Sequence, residues 1–157
     1  MSDELTTILT AAIAEQTTRL SSLPDDAREE GVTHLIEYLT PLTPNVPAEE
    51  LLAALFFTNR LRGVQATQKR FRGCGYESCC RLMVASLVLA NKVLADSPER
   101  MEFWCNLTKL DPATLILMER EYLALFDFKV HVSEQNLRDM LADEDWYVNR
   151  CKDAWLS

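Results

Sequence analysis

The sequence predicts an all-α protein, and three observations carry that reading. Apolar residues recur at three- and four-residue spacing in one segment after another, the period of a helix with a buried face. Only four glycines occur, and the six prolines fall between the apolar segments or at their starts. No long stretch alternates with period two, so strand signals are weak. Two strongly apolar central segments flanked by shorter ones describe an orthogonal helical domain, not a long coiled coil. At 157 residues the chain fits one domain and can bury a stable core without disulfides or metals.

Taken in order, residues 3–20 form a first helix, with Leu5, Ile8, Leu9, Ala12, Ile13 and Leu20 on its apolar side. Ser21 to Gly31 reads as a polar linker, or a linker containing an acidic helical turn. Val32, Leu35, Ile36 and Leu39 make a second stripe that ends near Pro41, because proline lacks an amide and clashes with the preceding turn. Pro47 suits a helix start, and Glu49 and Glu50 complement the dipole of the next helix. Leu51 to Phe57 is apolar on every side and needs several neighbours. A loop of mixed character is expected from Leu61 to Glu77, and then a central helix from Ser78 to about Ala95. Its small Ala85, Ser86 and Ala90 permit close approach of other helices. Pro98 and Glu99 open a short helix with Met101, Phe103 and Trp104. Asp111-Pro112 is an N-cap followed by a first-turn proline. Ser133 caps a further helix bearing Leu137, Met140 and Leu141, and a last turn or two follows through Trp155.

Composition narrows the function classes. A net charge of −8 argues against non-specific nucleic-acid binding and fits a selective partner. No basic start is joined to an apolar run and a cleavage site, so no secretory signal is expected. The apolar run Leu82–Leu94 contains Ser86, Asn91 and Lys92 and is too short to span a bilayer, so no membrane partner is expected. Five cysteines, an odd number, point to a reducing intracellular setting, cytoplasm or nucleus. Cys74, Cys79 and Cys80 form a C-x4-C-C cluster with no C-x2-C pair or nearby histidine. They read as structural thiols, and no metal site is expected. Neither His34 nor His131 has a nucleophile or carboxylate at motif spacing, and no phosphate-binding glycine motif or H-E-x-x-H occurs. The expectation is a non-enzyme without cofactors.

Two charges stand out because they occupy apolar surroundings. Lys92 closes the central helix, and Glu119 lies on the greasy side of PATLILMEREYLALFDF (Pro112–Phe128). Measured from Leu115 on a 3.6-residue turn, Tyr122 falls at about −20°, Phe126 at about +20° and Glu119 at about +40°. An ionised group there is costly unless it meets a partner, in this chain or in another. Two readings are open. Lys92 extends its ammonium to the surface while Glu119 caps or pairs inside the fold, or both meet a second protein. A second feature is the locally basic stretch 60–81. Arg60, Arg62, Lys69, Arg70, Arg72 and Arg81 face only Glu77 there, as solvated loop charge or as a patch for a phosphate or an acidic segment.

The order of these segments resembles a known family. An alanine-rich buried helix ending A-x-K, a short Trp-containing helix, then L-x-x-x-E-x-x-x-L-x-x-x-F are similar to the cyclin box. The likeness is to the single-box P/U-type cyclins of phosphate signalling. THLIEYLTPLTP (Thr33–Pro44) and PAEELLAALFFTNRL (Pro47–Leu61) are similar to that family's first two helices. The resemblance implies a five-helix orthogonal bundle over residues 32–132. Residues 1–31 would be an N-terminal helix and linker, and 133–157 a C-terminal helical extension.

It also implies a regulatory subunit that binds and activates a cyclin-dependent serine/threonine protein kinase. In cyclins, residues matching Lys92 and Glu119 contact the kinase beside its regulatory helix, whose glutamate pairs with the ATP-positioning lysine. The chain departs from many P/U-type cyclins at Asn59, at Cys80 and at Thr108-Lys109, where Asp, His and Gly-Gly are usual. HLIEYL does not match the M-R-x-x-L patch of cell-cycle cyclins, so recruitment of R-x-L substrates is not expected. The rival expectations are a nucleic-acid-associated cyclin fold using the basic stretch, and an unrelated helical adaptor.

Overall fold

A computed structural model describes residues 2–20, 25–67, 76–126 and 128–142. Among these residues there is no strand, and seven α-helices make the fold. They are α1 (Ser2–Thr18), α2 (Asp25–Leu39), α3 (Ala48–Thr67), α4 (Tyr76–Leu94), α5 (Met101–Thr108), α6 (Pro112–Leu125) and α7 (Glu134–Ala142). A 3-10 turn, Thr43–Asn45, joins α2 to α3. The expected all-α class is what forms. No described helix is long and apolar enough to cross a membrane.

The centre is α4, which packs against α1, α2, α3 and α6. From Met83 to Asn91 every side chain of α4 is buried. Ser86 is tolerated there because its hydroxyl donates to the Met83 carbonyl oxygen at 2.7 Å, satisfying the group inside its own helix. α3 supplies the opposing surface, with Leu51 to Leu55 and Phe57 buried as their all-round apolarity required.

Helix α1 is a core element rather than an appendage. It packs on α3, α2 and α4, and Leu9, Ala12, Ile13 and Ala14 have no exposed surface. Thr10, Gln16, Thr17 and Thr18 are buried as well. Thr10 and Thr18 each donate to the carbonyl four residues back, Thr6 and Ala14, at 2.7 Å. A threonine that bonds to its own helix turns only its methyl group toward neighbours. Residues that look polar in the sequence therefore pack inside.

Two boundaries differ from expectation. Asp25 to Gly31 are the first two turns of α2, closer to the acidic helical turn than to a plain linker, so the anticipated break at residues 31 and 32 falls within a helix. An acidic start suits the positive end of a helix dipole and needs no apolar face, which is why it read as linker. Likewise α3 continues to Thr67 and α4 starts at Tyr76, so both ends of the stretch expected as loop are helical.

Caps hold the later elements. Asp111 accepts from the Thr114 amide at 2.7 Å, and that bond holds its carboxyl below the ordinary carboxylate range. Ser133 and Asn136 bond reciprocally, each side-chain oxygen to the other's amide at 3.0 Å, to start α7. α6 presents Leu115, Met118 and Tyr122 to the core, joined by its C-cap Phe126. Burial pushes the Tyr122 phenol well above its ordinary range. The hydroxyls of Thr58 and Ser86 oppose that rise without reaching full hydrogen-bond geometry.

At the end of α5, Lys109 takes the left-handed conformation (φ 63°), and its amide donates to the Cys105 carbonyl at 2.9 Å. This is a helix stop that glycine adopts without steric cost. Thr108 anchors the turn by donating to the Trp104 carbonyl at 2.7 Å.

Two stability predictions follow from these contacts. Ile13→Ala is expected to cost about 2–5 kcal/mol because it leaves a cavity between α1 and α3. In urea unfolding, a loss within experimental error would mean that α1 is peripheral. Lys109→Gly is expected to add about 0.5–1 kcal/mol by relieving the left-handed strain, less the entropy of a glycine in the unfolded chain. A lower melting temperature for that variant would contradict the assignment of strain.

Candidate functional site

The candidate site is built where the last turn of α4 meets the middle of α6. Lys92 stands at the negative end of the α4 dipole, a favourable place for a cation. Its position is fixed from behind by Asn91. The Asn91 amide donates to the buried Glu50 carboxylate at 2.8 Å, and its oxygen accepts from the Glu99 amide at 2.8 Å. One buried side chain thus ties the start of α3, the end of α4 and the segment entering α5.

Across the groove, Lys92 Nζ donates to both Glu119 oxygens at 2.6 and 2.7 Å. The two side chains are 40% and 15% exposed, so the pair lies at the rim of the core with its lysine side in water. The question of where Glu119 finds its partner is answered within the chain, by Lys92 itself. An ammonium has three N–H donors, and two are engaged here. The pair is therefore formed in advance and retains one donor at the surface.

Its surroundings are partly apolar. Ile116, Glu119 and Leu123 share a side of α6 at three- and four-residue spacing. Ile116 is 46% exposed and Leu123 half-buried. Leu117, 57% exposed, lies further round the helix. Exposed large aliphatic residues beside a rim ion pair give a mixed surface of the kind proteins use for contact.

The described ends of the basic stretch are helical rather than loop. Arg60 lies in α3, where its guanidinium sits 4.9 Å from the Phe126 ring centroid and Nη1 donates to the Lys129 carbonyl at 2.6 Å. Arg62 also falls within α3, and Arg81 is exposed on α4. Lys69, Arg70 and Arg72 lie outside the described residues, as do Cys74, Tyr147, Cys151 and Trp155. Cys79 and Cys80 are buried, as structural thiols should be. No cluster of metal-ligating side chains occurs among the described residues. Trp104, Tyr122 and Phe126 are core residues, and Phe103 is half-buried against Trp104.

Sequence reasoning missed the Glu50–Asn91 contact. Glu50 was legible as a first-turn acid, but its burial follows from packing against a residue 41 positions away. A polar Asn within a long apolar helix was the available signal.

Because the ion pair is rim-exposed, its loss should cost under about 1 kcal/mol of folding stability. The Glu119→Ala and Lys92→Ala/Glu119→Ala proteins, which leave no carboxylate stranded at the rim, are expected to keep wild-type helicity by circular dichroism and melt within a few degrees of the parent. Unfolding of either variant at room temperature would show that the pair is structural instead. No family model matches the chain, and neither curated proteins nor solved structures match it.

Proposed function

We propose that the protein is a cyclin-like regulatory subunit that binds and activates a cyclin-dependent serine/threonine protein kinase. The observation that carries the reading is the preformed Lys92–Glu119 pair on α4 and α6, flanked by exposed Ile116. These are the two residues, at the two helices, where the resemblance puts the kinase contact. The order of α2 to α6 is also compatible with a five-helix box, with α1 packed against it.

The physical role follows from activation without chemistry. A kinase becomes active when its regulatory helix is held inward, so that its glutamate pairs with the lysine that positions ATP. A rigid rim with a fixed charge pair can hold such a helix, because the ordering cost is already met in the free subunit. Lys92 has a donor left for a carbonyl or carboxylate of the kinase, and Ile116 offers apolar area beside it. The kinase would bring ATP and magnesium; the subunit would contribute surface.

A tagged pull-down from the native cell tests this, with wild type beside the Lys92→Ala/Glu119→Ala protein, read by mass spectrometry and kinase assay. Wild type is expected to recover a cyclin-dependent kinase and its activity. The folded double variant should bind about 2–5 kcal/mol more weakly, provided that the pair is desolvated in the complex. Recovery of no such kinase, or equal recovery by both proteins, would overturn the reading.

A further inference from the structure

A second site is assembled on the side of the molecule where α3, the chain after α6 and α7 converge. A cleft of about 320 Å³ is lined by Phe56, Arg60, Lys129, His131 and Asn136. The described residues of its lining hold two permanent cations and an imidazole but no carboxylate. In a protein of net charge −8, such a grouping runs against the average field. Like charges brought together repel unless a counter-charge joins them. Among the described residues, no carboxylate pairs with Arg60, Lys129 or His131.

The cleft is also held in shape. Arg60 is pinned by the Lys129 carbonyl and by the Phe126 ring, so its guanidinium fork is ordered before any ligand arrives. A guanidinium presents five N–H donors, and the Lys129 carbonyl takes one. Asn136 uses its side-chain oxygen to accept from the Ser133 amide, so its Nδ2 hydrogens are the donors available to a ligand. Glu134, the acid in the first turn of α7, is engaged by Arg138 at 2.6 Å. What results is a concave set of donors and cations: a planar fork, a flexible ammonium, an imidazole and an amide.

We propose that this cleft binds a phosphoryl group, a phosphate monoester or phosphate dianion. Arg60 is the ordered anchor, Lys129 supplies further positive charge, and His131 and Asn136 offer hydrogen bonds. A tetrahedral dianion offers several acceptor oxygens at short range, which matches convergent donors better than a single carboxylate does. Two sources present that chemistry: a phosphorylated serine or threonine side chain, and free phosphate. The site is distinct from the Lys92–Glu119 rim, and its assignment does not depend on the kinase reading.

The test is a titration of the full chain, labelled with ¹⁵N and followed by amide chemical shifts. The probes are inorganic phosphate and the N-acetyl amide of O-phosphoserine, with the unphosphorylated serine compound as control. Saturable shifts at Phe56, Lys129, His131 and Asn136 with either phosphorylated probe, and none with the serine control, are expected. Lys129→Ala/His131→Ala, which alters exposed side chains and leaves the Arg60 contact to the backbone carbonyl, should weaken binding at least tenfold. Arg120→Ala, an exposed cation elsewhere, should leave it unchanged. Tighter binding of the phosphoserine compound would identify a phosphorylated side chain as the source, and equal or tighter binding of phosphate would identify the free anion. No saturable shift up to tens of millimolar, or equal affinity in the Lys129→Ala/His131→Ala protein, would overturn the assignment.

Discussion

A helix buried along its length, as α4 is from Met83 to Asn91, is stable only when other helices cover it on every side. That requirement organises the molecule. α3 and α1 take one side, α6 another, and α2 closes against the same helix. Small side chains at Ala85, Ser86 and Ala90 allow these neighbours to come close, and the one hydroxyl among them is satisfied within the helix. The polar residue at the end of the buried run, Asn91, does what a leucine there would not. It joins the buried Glu50 to the backbone leading into α5 and so fixes the end of α4 that carries Lys92.

The Lys92–Glu119 pair shows how an apolar face accommodates a charge. Glu119 is only 15% exposed, which would be costly alone, but both its oxygens accept from an ammonium still in contact with water. Such a pair adds little to stability and much to definition: it holds two side chains in one geometry beside Ile116 and Leu123. A surface with ordered charge and adjacent aliphatic area loses less conformational freedom on association than a flexible one.

The basic cleft follows a different logic. Arg60 is a half-buried cation that Phe126 and the Lys129 carbonyl hold against the body of the protein. Lys129 and His131 arrive from the segment after α6, and Asn136 from α7. Charge of one sign, gathered from two parts of the chain in an acidic protein and joined by an amide from a third, concentrates potential where the average surface would repel an anion.

Much of this was legible in the sequence, and the rest was not for definable reasons. Helical periodicity, the proline positions and the Asp111 and Ser133 caps are local properties, so they determined the all-α class and the later helix starts. The same spacing arithmetic put Glu119 on the apolar side of its helix. Whether an acidic or threonine-rich stretch lies inside or outside a core is not local. The length of helix from Asp25 and the burial of Thr10, Thr17 and Thr18 in α1 were not evident, because polar composition conceals helices that bond their own hydroxyls or start with acids. Long-range meetings are not local either: Lys92 and Glu119 stood out as charges in need of partners, but their bond to each other across 27 residues did not, nor did Asn91 with Glu50 across 41 or Arg60 with Lys129 across 69. Periodicity says which face of a helix is apolar; only the packing of one helix on another decides which side chain stands opposite it.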